Sequence, residues 1–268
     1  MFWTFYFVAF IIGICVVWHF YSIDKEQEQQ FEQLEELEQL EVQGDPESPV
    51  STETEISSEA DEEEELHTTK KKDVAKIKGD NPDWIGWVKI DGTSISYPVM
   101  QRAGDNEYYL HRDFYGNSSF YGTPFLDLGC NADSDNCIIY GHNINGGRMF
   151  GALHAFNRVS YYNEHPKVSL RLGKTTREYE ILAVIPTTIE NPLYSFTEVG
   201  NWEEYKNYVS MMVSKSLYQT QLGKKITKEL MQEEAQSFFK KYQFVSLSTC
   251  RSWIGRDARL LVIAARES

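Results

Sequence analysis

Phe244-Val245-Ser246-Leu247-Ser248-Thr249-Cys250, followed after a short polar link by Arg259-Leu260-Leu261-Val262-Ile263-Ala264-Ala265, is the stretch from which the fold is read. Both runs are apolar, short and bounded by turn-forming residues, so both read as β-strands. The first ends on a thiol flanked by small residues and the second begins on a guanidinium. Working outward, His142 lies in Tyr140-Gly141-His142-Asn143, directly after the apolar run Cys137-Ile138-Ile139. A Cys, a His and an Arg on three strand ends are the equipment of a thiol acyl-transfer enzyme. The thiolate is the nucleophile, an imidazole moves the proton, and a guanidinium stabilises an oxyanion. A lone Cys near a strand end is more often a small buried hydrophobe, and spacing alone leaves both readings open.

The same alternation recurs upstream. Trp87-Val-Lys-Ile-Asp-Gly, Ile95-Ser-Tyr-Pro-Val, Thr123-Pro-Phe-Leu-Asp, Val168-Ser-Leu-Arg-Leu and Glu178-Tyr-Glu-Ile-Leu-Ala-Val-Ile read as strands. With Cys137-Ile-Ile-Tyr and the two opening runs they make eight, in a segment (70–268) long enough for one hydrophobic core. Eight short strands with few helices between them favour a closed barrel or a sandwich. Two helical interruptions are expected. One spans Lys72 to Lys78. The other is a long insertion from Asn201 to Lys241, with Trp202, Tyr205, Tyr208, Val209 and Met212 at helical spacing, a break near Gly223 and a second helix opened by Thr227.

The chain divides into three parts on composition. Met1 to Ile23 holds no charged side chain, long enough to cross a hydrocarbon core, with Trp3, Tyr6, Trp18 and Tyr21 toward its ends. No basic n-region or small-x-small cleavage site accompanies it, so it reads as a retained anchor. Residues 24–65 carry eighteen acids against Lys25 alone, whereas the whole chain is −14. The acidity therefore belongs to one segment, a largely disordered stalk (24–69). Phe31, Leu34, Leu37 and Leu40 could support a short helix from Glu26 to Val42 within it. No nucleic-acid partner is expected.

The domain resembles a sortase, and among sortases class B. Leu247-Ser248-Thr249-Cys250 matches the family's active-site strand and Arg259 the Arg that opens the next one. Tyr140-Gly141-His142-Asn143 with Met149-Phe150-Gly151 matches the region of the catalytic His. Asn81-Pro82-Asp83-Trp84-Ile85-Gly86-Trp87, Tyr97-Pro98-Val99-Met100-Gln101 and Asp105-Asn106-Glu107-Tyr108-Tyr109-Leu110 resemble the entry segments. The resemblance implies a closed eight-stranded sortase-type barrel, mainly β with added helices: an N-terminal helix and a long helical insertion before the active-site strand. It implies a cysteine transpeptidase with Cys250 as nucleophile, His142 as general acid and Arg259 as oxyanion stabiliser. Asn106, Leu110, Ser248, Thr249 and Tyr194 would bind a sorting signal resembling Asn-Pro-x-Thr-x. The acceptor would be an amine of a peptidoglycan precursor, and the catalytic domain would face outward from a single-pass anchor. No cofactor or metal is implied. Two departures stand out: Ser246 where the family carries Thr, and a longer segment from Gln219 to Tyr242.

Other residues have plainer readings. Cys130 and Cys137 flank a turn whose size admits a disulfide, but reduced thiols are the expectation. Asp127, Asp133 and Asp135 fit turn chemistry better than a calcium site. His111 and His154 read as surface or packing residues, and His19 and Cys15 as interfacial members of the anchor. Arg256, in a Gly/Asp-flanked loop, is the rival to Arg259. A pilus-type polymerase, a hydrolase and a non-catalytic tethered binding module are the competing functions.

Overall fold

The computed structural model describes residues 2–43, 81–144, 146–250 and 257–268, in two units, 1–80 and 81–268. In the second unit ten strands follow in order: β1 (Trp84–Lys89), β2 (Ser96–Met100), β3 (Phe125–Leu126), β4 (Asn136–Gly141), β5 (Asn143–Ile144), β6 (Arg148–Met149), β7 (Lys167–Leu172), β8 (Thr175–Thr188), β9 (Tyr242–Cys250) and β10 (Ala258–Glu267). Eight of them close into a barrel in the order β1-β2-β3-β4-β9-β10-β8-β7, with β5 and β6 forming a separate hairpin. Closure leaves no strand edge unpaired in the ring. The barrel expected from the sequence is the one observed, and each of its eight strands overlaps an expected run.

Most neighbours are antiparallel, but β2 runs parallel to β3 and β4 to β9, the latter with Asn136 opposite Phe244 and Gly141 opposite Thr249. A parallel strand is buried on both faces, and every residue of β9 from Tyr242 to Thr249 is buried. Leu261, Ile263 and Phe244 pack outward in one apolar cluster with the helical insertion, while Val245, Leu247, Leu260 and Val262 are buried outside that cluster. Ser246 stands in this strand without cost: its hydroxyl donates to Asn136 Oδ1 at 2.9 Å, and Asn136 Nδ2 donates to the Phe196 carbonyl at 2.8 Å. A serine hydroxyl makes that bond as a threonine's would.

The helices are α1 (Phe2–Gln43), α2 (Val159–Glu164), α3 (Trp202–Lys215) and α4 (Gln221–Leu230). Asn201 caps α3, accepting from Glu204 N at 3.0 Å. Its buried stripe is Tyr205, Val209 and Met212, the spacing of one helical face. The break in the insertion is not at Gly223, and Thr227 does not open a helix. The interruption lies before Thr220, whose Oγ1 accepts from Gly223 N at 2.9 Å and donates to the Leu182 carbonyl at 2.7 Å. Gly223 is helical and buried because its bare Cα packs against this cap; an added Cβ would meet Thr220 Oγ1 at 3.0 Å.

In the first unit, the anchor and the short acidic helix expected separately are one helix, α1. Neither Gly nor Pro interrupts the chain between Ile14 and Gln43, and Glu, Gln and Leu dominate its second half. Among the described residues no helix is long and apolar enough to cross a membrane. The anchor expectation covers Met1 and several side chains up to Phe20 that lie outside the described residues, as do the stalk beyond Gln43 and the expected helix from Lys72 to Lys78.

Candidate active site

Strand register assembles the site before any side chain is considered. Gly141 pairs with Thr249 across β4 and β9, so His142 and Cys250 stand one residue beyond the same pair on adjacent parallel strands. On the other side of β9, Cys250 pairs directly with Arg259 of β10. Neighbouring strands lie about 4.8 Å apart, which places the Cys250 backbone between the His and the Arg. The Cys250 thiol, Arg251 and the rival Arg256 lie outside the described residues.

His142 is held from two directions. The preceding Gly141 lets the Phe150 ring lie against its Cα, where a Cβ would come within 2.6 Å of the ring. The His142 Nε2 lies 2.6 Å from the Leu110 carbonyl oxygen. A carbonyl only accepts, so Nε2 carries the proton and Nδ1 is the basic nitrogen. Burial lowers the His142 pKa below its ordinary value, and nearby His111, whose ring centroid is 5.7 Å away, pushes in the same direction. The bond to Leu110 opposes both. The neutral imidazole is the favoured resting form.

His142 and Arg259 line one cavity of about 360 Å³, the size of a ligand pocket. Asn106, Leu110, Tyr194, Ser248 and Thr249 line it as well, so the residues expected to bind substrate converge there. Tyr194 comes from a short 3₁₀ turn, Pro192–Ser195, capped by Asn191, and its hydroxyl lies 2.8 Å from Ser248 Oγ. Arg259 Nη1 donates to the Ala258 carbonyl at 3.1 Å. Thr249 Oγ1 is buried with no hydrogen-bond partner among the described residues.

Sequence reasoning missed part of the lining: Glu107, Phe125, Tyr140 and Ile189. Tyr140 stands in the motif around His142, but the sequence gives its side chain no role of its own. Its ring stacks on Tyr194, with centroids 6.2 Å apart and planes 14° apart, and tilts against Phe125. Tyr140 donates to Asp127 Oδ2 at 3.0 Å. Burial first, then the Asp127 charge, raises its pKa strongly.

The residues set aside have partners of their own. Cys130 and Cys137 are free thiols, donating to the Asn136 and Asn131 carbonyls at 3.3 and 3.2 Å. Burial pushes their pKa values up to about 11 and about 12, so neither is a ready thiolate. Asp135 holds Lys240 at 2.8 Å and the Val199 amide at 2.9 Å, and Asp133 lies 3.5 Å from Arg177.

No family model matches the chain. Sortase B of Listeria monocytogenes is 35% identical over 149 residues, covering 55% of this chain and 58% of that protein. The structure of Clostridium perfringens sortase B superposes with a TM-score of 0.60 at 29% identity, over 71% of this chain and 97% of that one. The chain resembles sortase B in both sequence and fold. A Staphylococcus aureus sortase B–substrate complex has the same fold, with a TM-score of 0.67 at 21% identity over 91% of this chain and 98% of that one. In this chain the three strand ends described above bring His142 and Arg259 to either side of the Cys250 backbone.

Proposed function

We propose that this protein is a membrane-anchored cysteine transpeptidase that cleaves a C-terminal sorting signal resembling Asn-Pro-x-Thr-x after Thr and joins the new carboxyl to a cell-wall amine. The observation that carries the reading is the register: His142 and Arg259 flank Cys250 on adjacent strands, at the wall of a 360 Å³ cavity. The Cys250 thiolate attacks the Thr carbonyl carbon, and a C–S bond forms. The oxyanion meets the Arg259 guanidinium. The C–N bond breaks as the leaving amine takes a proton from His142, giving a thioester. An incoming amine, of a peptidoglycan cross-bridge precursor, then loses its proton to His142, and its nitrogen displaces the thiolate. Asn106, Leu110, Tyr194 and Ser248 form the walls that hold the signal. The buried, unpartnered Thr249 hydroxyl supplies a donor to a substrate carbonyl, since leaving it unpaired costs about 1–3 kcal/mol. A family likeness to a substrate complex supports the substrate class.

The test is mass spectrometry on the full chain and its Cys250→Ala variant, mixed with Asn-Pro-x-Thr-x and Leu-Pro-x-Thr-Gly peptides. Cleavage after Thr and a thioacyl adduct, both absent from Cys250→Ala, are the expected results. A folded wild-type protein that yields neither adduct nor cleavage across the panel would sink the proposal.

A further inference from the structure

The turn after β3 places a carboxylate behind the substrate-facing wall of the cavity. Asp127 accepts from three donors: Tyr140 Oη at 3.0 Å and Asn106 Nδ2 at 3.2 Å, both on its Oδ2, and Gly129 N at 2.8 Å on its Oδ1. The other end of the Asn106 amide is fixed as well, because Leu128 N donates to Asn106 Oδ1 at 2.9 Å. A backbone N–H only donates and a carboxylate only accepts, so the Asn106 amide has a single orientation. One Nδ2 hydrogen and one Oδ1 lone pair remain to face the cavity that Asn106 lines. The second donor, Tyr140, is wedged between Phe125 and Tyr194, and Tyr194 in turn meets Ser248 next to the active-site threonine. One carboxylate thus ties down both a polar reader and an aromatic wall.

We propose that Asp127 is a positioning residue for signal recognition: it locks Asn106 and Tyr140, and its charge behind Asn106 makes the cavity favour a neutral amide side chain over a carboxylate in the bound peptide. This rests on the sorting-signal reading above. The lock presents a donor and an acceptor, which an amide side chain satisfies together; an anionic side chain supplies acceptors only and approaches a fixed negative charge. In Asp127→Asn one of the two acceptors becomes an Nδ2: turned toward Asn106 and Tyr140 it opposes their donors, and turned toward the turn it opposes Gly129 N, so the three-donor lock cannot be kept whole in either orientation. The hold on Asn106 is weakened from charge-assisted to neutral at best and the charge is gone, with the volume unchanged.

The experiment uses the full chain, wild type and Asp127→Asn, with two peptides that differ only in Asn-Pro-x-Thr-x against Asp-Pro-x-Thr-x. Asp113→Asn, whose carboxylate caps a turn at Asn117, serves as a control. Wild type and Asp113→Asn should prefer the Asn peptide by about tenfold or more in kcat/KM. In Asp127→Asn the preference should fall to within about threefold, through a raised KM for the Asn peptide with kcat within about twofold. The Asn106 side-chain amide pair, followed by ¹H–¹⁵N NMR, should move toward free-amide shifts in Asp127→Asn alone. An unchanged peptide ratio in folded, active Asp127→Asn overturns this inference and leaves the transpeptidase reading standing. Wild type that processes neither peptide overturns that reading, and the peptide preference with it.

Discussion

At the scale of single residues, His142 carries the clearest physical signature. Its depressed pKa means that the unfolded chain binds the proton more readily than the folded protein between the two values. The slope of stability with pH is then positive in that window. The contribution is fully present above the unfolded value of about 6.5, and it is lost as pH falls from there through the lower folded value. Urea unfolding at pH 7.5 and pH 5.5 should therefore cost the wild type more stability than it costs His142→Gln, whose side chain does not titrate. Equal losses in both proteins would mean that His142 is not held in its neutral form. The same burial bears on catalysis: the imidazolium needed to protonate the leaving amine is a minor species at neutral pH, so its bond to the Leu110 carbonyl, which favours the charged form, works in the direction the chemistry needs.

Among elements, the helical insertion is tied to the barrel through one threonine. Thr220 caps α4 and also donates to the Leu182 carbonyl of β8, while 1% exposed. Thr220→Ala removes a cap and leaves a buried carbonyl and amide unpaired. The expected loss is about 2–3 kcal/mol of unfolding free energy, whereas Thr220→Ser, which keeps the hydroxyl, should lose under about 1 kcal/mol. A loss below 1 kcal/mol for Thr220→Ala in denaturant titration would show that the cap is not what holds α4. This joint was illegible in the sequence because Gly223 looked like a helix breaker, and its fit depends on a cap and a strand carbonyl contributed from elsewhere. The strands were legible because a closed barrel has two-faced burial, and runs such as Val245 to Leu247 and Leu260 to Ala264 are apolar without interruption. The strand-end positions of His142 and Arg259, and so their meeting at one cavity, were legible for a related reason, since periodicity stops there. Asp127 and Tyr140 were not. Their importance comes from hydrogen bonds and ring stacking between segments 13 or more residues apart, which no local pattern encodes.

For the whole molecule, charge and apolarity are partitioned along the chain. Residues 24–65 hold eighteen of the acids, so the rest of the chain is near balance despite the overall −14. Exposed charges are screened beyond about 8 Å at physiological salt, so this acidity acts locally. An uncharged run at one end, an acidic stretch next and a barrel with its own core suit a tethered enzyme whose catalysis is independent of its tether. Removing residues 1–23 should move the protein from the membrane pellet to the supernatant. Hydrolysis or transfer of a soluble signal peptide should keep its kcat/KM within about twofold, because His142, Arg259 and every residue lining the cavity belong to the unit 81–268. On the anchored reading proposed above, the full chain should stay in the pellet through alkaline carbonate extraction, since a run that spans the hydrocarbon core is not washed off. Release of the full chain by carbonate would reduce the N-terminal run to a peripheral contact. A fall in kcat/KM well beyond twofold on its removal would instead make the tether part of the catalytic apparatus.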